Sequence, residues 1–296
     1  MSIPFRCTAG SEERGESLIG TASTVRAFLL IEAPGSWGVD AVSDGGLPKS
    51  VKPELARAAN RHNVRLLLIR KHGRSTPCDI SVFASYADPQ RSWVETTRLD
   101  DPADLLGLDL AALGAGRSPG LAAHTSPMFL VCTHGKHDVC CAERGRPVAA
   151  ALHRNYPEST WEVSHIGGDR FAGNVLVLPD GLYYGRLSPT AAVRLAERHT
   201  SGHLDLEHLR GRSGFPFPVQ AAEIFLRREL DRTALDALSL TARAMRDGRT
   251  RAVFTDGTGS WAVHVETTRT AAEKLTCRAP RASHSTPHAL VSITPL

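Results

Sequence analysis

The fold is decided by residues 129–174, FLVCTHGKHDVCCAERGRPVAAALHRNYPESTWEVSHIGGDRFAGN. This stretch holds three of the six cysteines and then, after a helical interval, the run HIGGDR. Eight residues separate Cys132 from Cys141, and three separate His165 from Asp169. Each pair lies at the boundary between two predicted elements. These four side chains are therefore the first candidates for metal ligands.

The residue types in the two pairs indicate which metals would bind. Thiolates and imidazoles favour iron–sulfur clusters, zinc or copper, whereas an all-oxygen set would favour magnesium or calcium. A strand that ends near Cys132 and a helix that starts near Cys141 would place both sulfurs at one end of a sheet. The loop carrying His165 and Asp169 could meet them there. The two glycines of that loop would let its backbone approach an inorganic group closely.

The cysteines also allow less specific interpretations. The same cluster could hold a structural zinc ion, or Cys140 and Cys141 could act as a vicinal redox pair. Cys7, Cys78 and Cys277 are isolated in the sequence. We expect these three to be small buried hydrophobic residues, because that is the usual environment of a free cysteine.

The hydrophobic pattern around the cysteines predicts one α/β unit. The predicted elements are a strand at Met128–Thr133, a helix at Cys141–Arg154, a strand at Trp161–His165, a hairpin of Asn174–Leu178 with Leu182–Leu187, and a helix at Pro189–His199.

A similar order precedes it in the chain. We predict a strand at Val25–Ala33, a helix at Lys52–His62, a strand at Val64–Ile69, strands at Asp79–Tyr86 and Trp93–Leu99, and a helix from Asp101 to Leu113. Strand, helix, strand, hairpin and helix thus occur twice. We infer two degenerate copies of one thioredoxin-like unit, with chemistry retained in the second, and a different strand order in the first half would contradict this.

We divide the chain into an N-terminal scaffold domain, 1–120, a site-bearing domain, 121–210, and a small α+β segment, 211–296. Residues 114–120, GAGRSPG, are typical of a linker. In the last segment we predict helices at Val219–Leu230 and Thr233–Arg246. A hairpin around Asp256–Gly259 and a strand at His288–Ile293 should follow.

Composition excludes several classes of protein. With 42% hydrophobic and 22% charged residues over 296 positions, the chain is typical of a folded α/β protein of about two domains. Its apolar runs are far shorter than the ~20 residues of a membrane-spanning helix, and residues 1–20 lack the apolar core of a secretory signal. We expect a cytoplasmic protein. The net charge of +4 comes from scattered Lys and Arg rather than a basic stripe, which argues against nucleic-acid binding.

Two segments of the chain resemble a known family. CTHGKHDVCCAERG, and SHIGGDRFAGNVLVLPDGLYYGRL after it, are similar to the sucrase/ferredoxin-like family, whose C-terminal unit resembles thioredoxin-like ferredoxins. GTAS at Gly20 and LLIEAPGSWG at Leu29–Gly38 resemble that family's N-terminal half. The resemblance implies a two-iron two-sulfur cluster with two cysteines on one iron and two ligands from the HxGGxx turn on the other. Cys132 and Cys141 match the cysteine positions, and His165 matches the first histidine.

One position departs from the family pattern. Relatives with two histidine ligands have the second one where this chain has Asp169. Either Asp169 completes the ligand set, or Cys140 does, or Asp169 only forms a hydrogen bond. His134 and His137, between the cysteines, are either donors to the ligands or solvated loop residues.

The resemblance implies an electron carrier rather than a catalyst, with redox donor and acceptor proteins that the sequence does not identify. Because a neutral imidazole replaces a thiolate, its potential should exceed that of an all-cysteine ferredoxin. A thiol-dependent oxidoreductase and a zinc-stapled interaction module are the alternatives.

Overall fold

The protein is described by a computed structural model that covers residues 4–73 and 79–296. The described residues form one mixed sheet of ten strands and a separate antiparallel sheet of four. None of the described helices is long and apolar enough to cross a membrane. Cys78, predicted to be a buried hydrophobic residue, lies outside the described residues.

The N-terminal half begins with a helix that the sequence did not predict. Its helices are α1 (Cys7–Glu13), α2 (Ala41–Asp44), α3 (Lys52–Arg61) and α4 (Leu110–Gly114), with a 3-10 helix at Pro102–Gly107. Its strands are β1 (Ala27–Glu32), β2 (Val64–Arg70), β3 (Ile80–Tyr86), β4 (Trp93–Leu99) and β5 (Ala122–Ala123).

The predicted helix from Asp101 to Leu113 is wrong as a single element. Asp101 does cap a helix, since its carboxylate accepts a hydrogen bond from the Ala103 N–H at 2.8 Å. That helix ends before Leu108, which has an extended backbone. A second helix, α4, then begins after Asp109, whose carboxylate accepts a hydrogen bond from the Ala112 N–H. Two aspartates that each satisfy free N–H groups therefore divide the segment.

The C-terminal half follows the predicted order of elements. Its strands are β6 (Met128–Cys132), β7 (Thr160–Val163), β8 (Val175–Leu178), β9 (Leu182–Tyr184) and β10 (Leu209–Arg212). Its helices are α5 (Val139–Asn155) and α6 (Pro189–Thr200), with a 3-10 helix at Asp169–Phe171.

Both halves have the same strand order. It is β2-β1-β3-β4 in the first half and β7-β6-β8-β9 in the second. In each half the first pair is parallel and the next two are antiparallel. The α/β class with a thioredoxin-like order of strands is confirmed. An equal strand order is what two copies of one unit require, and the copy hypothesis itself stays a prediction.

The two halves join in the middle of the large sheet. β2 and β7 pair antiparallel through Ile69 with Val163 and Arg70 with Glu162. The continuous apolar run of β1 is buried along its whole length, as expected for a strand covered on both faces. β5 pairs back to β4 of the first half, and β10 continues the sheet beyond β9.

The last segment corrects the sequence prediction. α7 (Phe217–Glu229) matches the first predicted helix, but the second, Thr233–Arg246, is wrong. In its place β11 (Ser239–Arg246) turns at Asp247 and Gly248, which have φ of 50° and 74°, into β12 (Arg249–Thr255). An Asp-Gly pair between strands is a strong hairpin signal, and it outweighs the helical spacing of the leucines. β13 (Ser260–Thr267) and β14 (His288–Pro295) complete the sheet.

Candidate functional site

The site lies at the end of β6, close to the junction of the two halves. Cys132 is the last residue of that strand and is buried. Its N–H donates to the Asn174 carbonyl at 3.0 Å, and the N–H of the next residue, Thr133, donates to the Val163 carbonyl at 3.2 Å. These bonds to both flanking segments fix the position of the Cys132 thiol.

Cys141 reaches the same place from the first turn of α5. Asp138 caps this helix, because its carboxylate accepts from the Cys140 N–H at 2.9 Å. The Cys141 thiol is buried and lies in contact with the Asp169 carboxylate, 3.2 Å from Oδ1. The sulfurs of Cys132 and Cys141 and a ring nitrogen of His165 all lie within 4.8 Å of one another.

The two thiols influence each other's ionisation. Hydrogen bonding with Cys141 lowers the pKa of Cys132 well below its ordinary value, although burial opposes this and His165 supports it. The pKa of Cys141 is raised by the same contact, by burial and by the neighbouring carboxylate. Of the two thiols, Cys132 is therefore the more acidic.

The glycine-rich loop takes the conformation that its sequence predicts. Gly167 and Gly168 have φ of 97° and 83°, in the left-handed region that other residues rarely adopt. A Cβ on Gly168 would collide with the guanidinium of Arg210. Ser23 donates to the Ile166 carbonyl at 2.9 Å, which ties the loop to the N-terminal segment.

His165 and Asp169 lie next to each other at the rim of the site. His165 Nδ1 is 2.9 Å from Asp169 Oδ1, with side-chain exposures of 23% and 4%. Even so, Nδ1 is buried and makes no hydrogen bond of acceptable geometry. Burial lowers the pKa of His165, but Asp169 and Cys132 outweigh it and raise the pKa to about 9. Burial raises the pKa of Asp169, and His165 outweighs it so that the net change is downward.

Two histidines between the cysteines take part in the site. His134 is buried, places Nε2 2.9 Å from the Gly38 carbonyl and accepts the His165 N–H at Nδ1, at 3.2 Å. It therefore bridges the two halves and positions the HIGGDR loop. His137 stacks on His165 with ring centroids 3.9 Å apart.

His137 is the site residue that sequence reasoning undervalued. Together with His165 and Asp169 it forms a second group of donor atoms within 4.8 Å. Its place in the loop between two candidate ligands was the available signal, but the sequence of a loop does not determine the direction of its side chains.

Cys140 lies away from these ligands. Its sulfur is 3.4 Å from that of Cys277 and belongs to another group of donors, with Cys7 and Asp138. Adjacent helical residues point about 100° apart, so Cys141 faces β6 while Cys140 faces α1. The structure brings together Cys132, Cys141, His165 and Asp169, and it places Cys140 elsewhere.

A buried cation supports the loop from β10. Arg210 is only 1% exposed and donates to the Gly167 carbonyl and to Asn174 Oδ1, each at 2.9 Å. It also donates to the carbonyl and hydroxyl of Thr21. In the part of the chain that the structure describes, its guanidinium has no carboxylate partner. Burial lowers its pKa to about 10.

Fold and site together define an α/β protein with a buried group of thiols and imidazoles able to hold a metal ion. The chain belongs to the sucrase/ferredoxin-like family, whose model matches residues 18–211. The resemblance inferred from the cysteine and glycine motifs is confirmed.

The chain spans less than a third of the length of two relatives that it matches. Altered inheritance of mitochondria protein 32 of Saccharomyces cerevisiae strain YJM789 is 34% identical over 96 residues, which cover 28% of this chain and 31% of the relative. The protein of the same name from Meyerozyma guilliermondii is 33% identical over 75 residues, covering 22% and 27%. The matched region is thus less than a third of either relative.

Solved structures of a thioredoxin-like [2Fe-2S] ferredoxin from Aquifex aeolicus are also similar in part. One is 19% identical and covers 31% of this chain and 97% of that chain, with a TM-score of 0.27. A variant of the same ferredoxin covers 28% and 97%, with 19% identity and a TM-score of 0.25.

Proposed function

We propose that this chain is an electron-transfer protein that carries a two-iron two-sulfur cluster. Cys132 and Cys141 would bind one iron, and His165 and Asp169 the other. When bound, such a cluster supplies one-electron redox chemistry. The observation that carries the proposal is the grouping of the buried Cys132 and Cys141 thiols with a ring nitrogen of His165, all within 4.8 Å of one another.

The donor set fits a soft metal centre. Two thiolates and an imidazole are the ligands that iron–sulfur clusters and zinc prefer. Asp169 Oδ1 lies 2.9 Å from His165 Nδ1 and 3.2 Å from the Cys141 sulfur, so the fourth proposed ligand is in contact with two of the other three. The left-handed backbone at Gly167 and Gly168 also lets the loop pack closely against Ser23 and Arg210, where a Cβ would collide.

The surrounding residues suit an anionic group. Arg210 is a buried cation without a carboxylate partner among the described residues, and Arg65 donates to the His165 carbonyl at 3.0 Å. Arg210 interacts electrostatically with Cys132 and Asp169, so its positive charge would help to balance thiolate and sulfide charge in a medium of low dielectric constant. His134 holds the backbone of His165, as a residue behind a metal ligand is expected to do.

Direct thiol chemistry at Cys140 or Cys141 is less well supported. Both sulfurs are buried, whereas reactive cysteines are usually partly exposed. A cytoplasmic location and the presence of redox partner proteins stay part of the proposal.

The test is the iron and acid-labile sulfide content of the full chain purified without oxygen. We expect red-brown protein with about two irons and two sulfides per chain. Cys132→Ser, Cys141→Ser and His165→Ala should each lose iron, whereas the matched variant Cys140→Ser should keep it. Folded protein without iron, or iron that is unchanged in Cys132→Ser, would reject the proposal.

The fourth ligand can be tested in the same preparations. Electron paramagnetic resonance of the reduced protein should change in Asp169→Ala and stay as in the wild type in His137→Ala. The opposite result would assign His137, which lies in the same donor group, in place of Asp169.

A further inference from the structure

A second group of metal donors lies at the start of α5, on a different face of the helix from the candidate cluster site. It comprises Cys7, the first residue of α1, Asp138 and Cys140 at the start of α5, and Cys277 from the segment between β13 and β14. One donor atom of each residue lies within 4.8 Å of the others. The side chains come from three segments that are more than a hundred residues apart in the chain.

This arrangement corrects the expectation for two isolated cysteines. Cys7 is buried as expected and Cys277 is partly exposed. Neither is isolated, since their sulfurs lie 3.5 Å apart and that of Cys277 is 3.4 Å from the Cys140 sulfur. All three are free thiols, with distances far beyond the ~2.05 Å of a disulfide bond.

The spacing suits a single ion. Thiolates bound to zinc at about 2.3 Å in a tetrahedron are about 3.8 Å apart. The observed separations of 3.4 and 3.5 Å are within a few tenths of an ångström of that value. Asp138 supplies the fourth donor, since both of its oxygens lie 3.7 Å from the Cys7 sulfur.

Neighbouring groups are arranged to stabilise thiolates. The Thr8 hydroxyl donates to the Cys140 sulfur at 3.3 Å, and the Cys7 N–H donates to the Cys277 sulfur at 3.3 Å. The Cys277 N–H donates to Asp138 Oδ2 at 2.7 Å, which fixes the carboxylate. Donors of this kind orient ligands and balance their charge in metal sites.

We propose that Cys7, Asp138, Cys140 and Cys277 form a structural site for a divalent thiophilic cation of the zinc class. Four protein ligands close the coordination sphere, which is typical of a structural site rather than a catalytic one. The ion fastens α1 and the segment before β14 to the start of α5. It is independent of the cluster proposed above and uses none of its ligands.

Metal analysis of the full chain, expressed with zinc chloride and iron in the medium, tests the site. Wild type should hold about one zinc per chain in addition to its iron. Cys277→Ser should lose the zinc and keep the iron, and Cys132→Ser should do the reverse. Zinc that is lost in Cys132→Ser but kept in Cys277→Ser, or no more zinc in wild type than in Cys277→Ser, would overturn the proposal.

A second measurement needs no variant. Cys277 is partly exposed, so its free thiol should react with iodoacetamide. We expect peptide mass spectrometry to find it protected in the zinc-loaded wild type and alkylated once a chelator removes the zinc. Alkylation before chelation would contradict metal ligation. A disulfide from Cys277 to Cys7 or Cys140 in protein purified without reductant would do the same and would assign a redox pair instead.

Discussion

Arg210 offers a quantitative test of how the site is held. Its guanidinium donates hydrogen bonds to Thr21 in the N-terminal segment and to Gly167 and Asn174 in the connection between β7 and β8. Hydrogen bonds to a charged group contribute about 1.5–3 kcal/mol each, so the four together are worth roughly 6–12 kcal/mol. Burying a cation without a carboxylate partner costs several kcal/mol. We expect Arg210→Met to lower the free energy of unfolding by about 3–5 kcal/mol.

Urea unfolding followed by far-ultraviolet circular dichroism measures this loss, and iron analysis of the same samples measures the effect on the site. Arg210→Lys keeps the charge but not the planar set of donors, so it should recover less than half of the loss. The matched control is Arg246→Met, because Arg246 is 92% exposed and should be neutral when replaced. An unfolding midpoint and slope for Arg210→Met equal to those of the wild type would refute the reasoning.

Three further substitutions test other parts of the fold. Burial raises the pKa of Glu162, but its hydrogen bond with Arg70 outweighs this, so the pKa in the folded protein lies below 4.5. The charged carboxylate therefore stabilises the fold above pH 4.5, and we expect Glu162→Gln to be less stable than the wild type at pH 7. The difference from wild type should therefore shrink in urea unfolding as the pH falls through the lowered pKa. Glu223→Gln should lower the free energy of unfolding by about 3 kcal/mol in the same assay. The buried Arg227 would keep its charge but lose the carboxylate that now lies 3.0 Å away. Gly168→Ala should lower iron content and thermal stability, because its φ of 83° strains alanine.

The central part of the fold could be predicted from the sequence because it follows from local sequence patterns. Apolar runs such as Ala27–Glu32 predict strands, and the ends of β6 and α5 bring Cys132 and Cys141 to one edge of a sheet. The pair Gly167 and Gly168 also has the left-handed backbone that it suggests.

Other features depend on contacts that no local pattern records. The group around Cys140 joins residues up to 270 positions apart. In the sequence, Cys7 and Cys277 therefore have no neighbouring cysteine that would indicate the group. The segment after Thr233 has leucines at helical spacing, but its course is set by pairing with β12. For His137, the stacking on His165 depends on how two loops meet.

The joining of the two halves into one sheet affects how many strand edges the protein exposes. Two separate sheets, one from each half, would expose four edge strands, and exposed edges invite pairing with other molecules. The antiparallel pairing of β2 with β7 removes two of those edges. Of the remaining two, one is the two-residue β5 and the other is the buried β10 beneath α7. The β10 edge is therefore covered, whereas β5 pairs with only Glu95 and Thr96 of β4. Among the described residues, the rest of β4 is the edge of the large sheet where pairing with another molecule would begin.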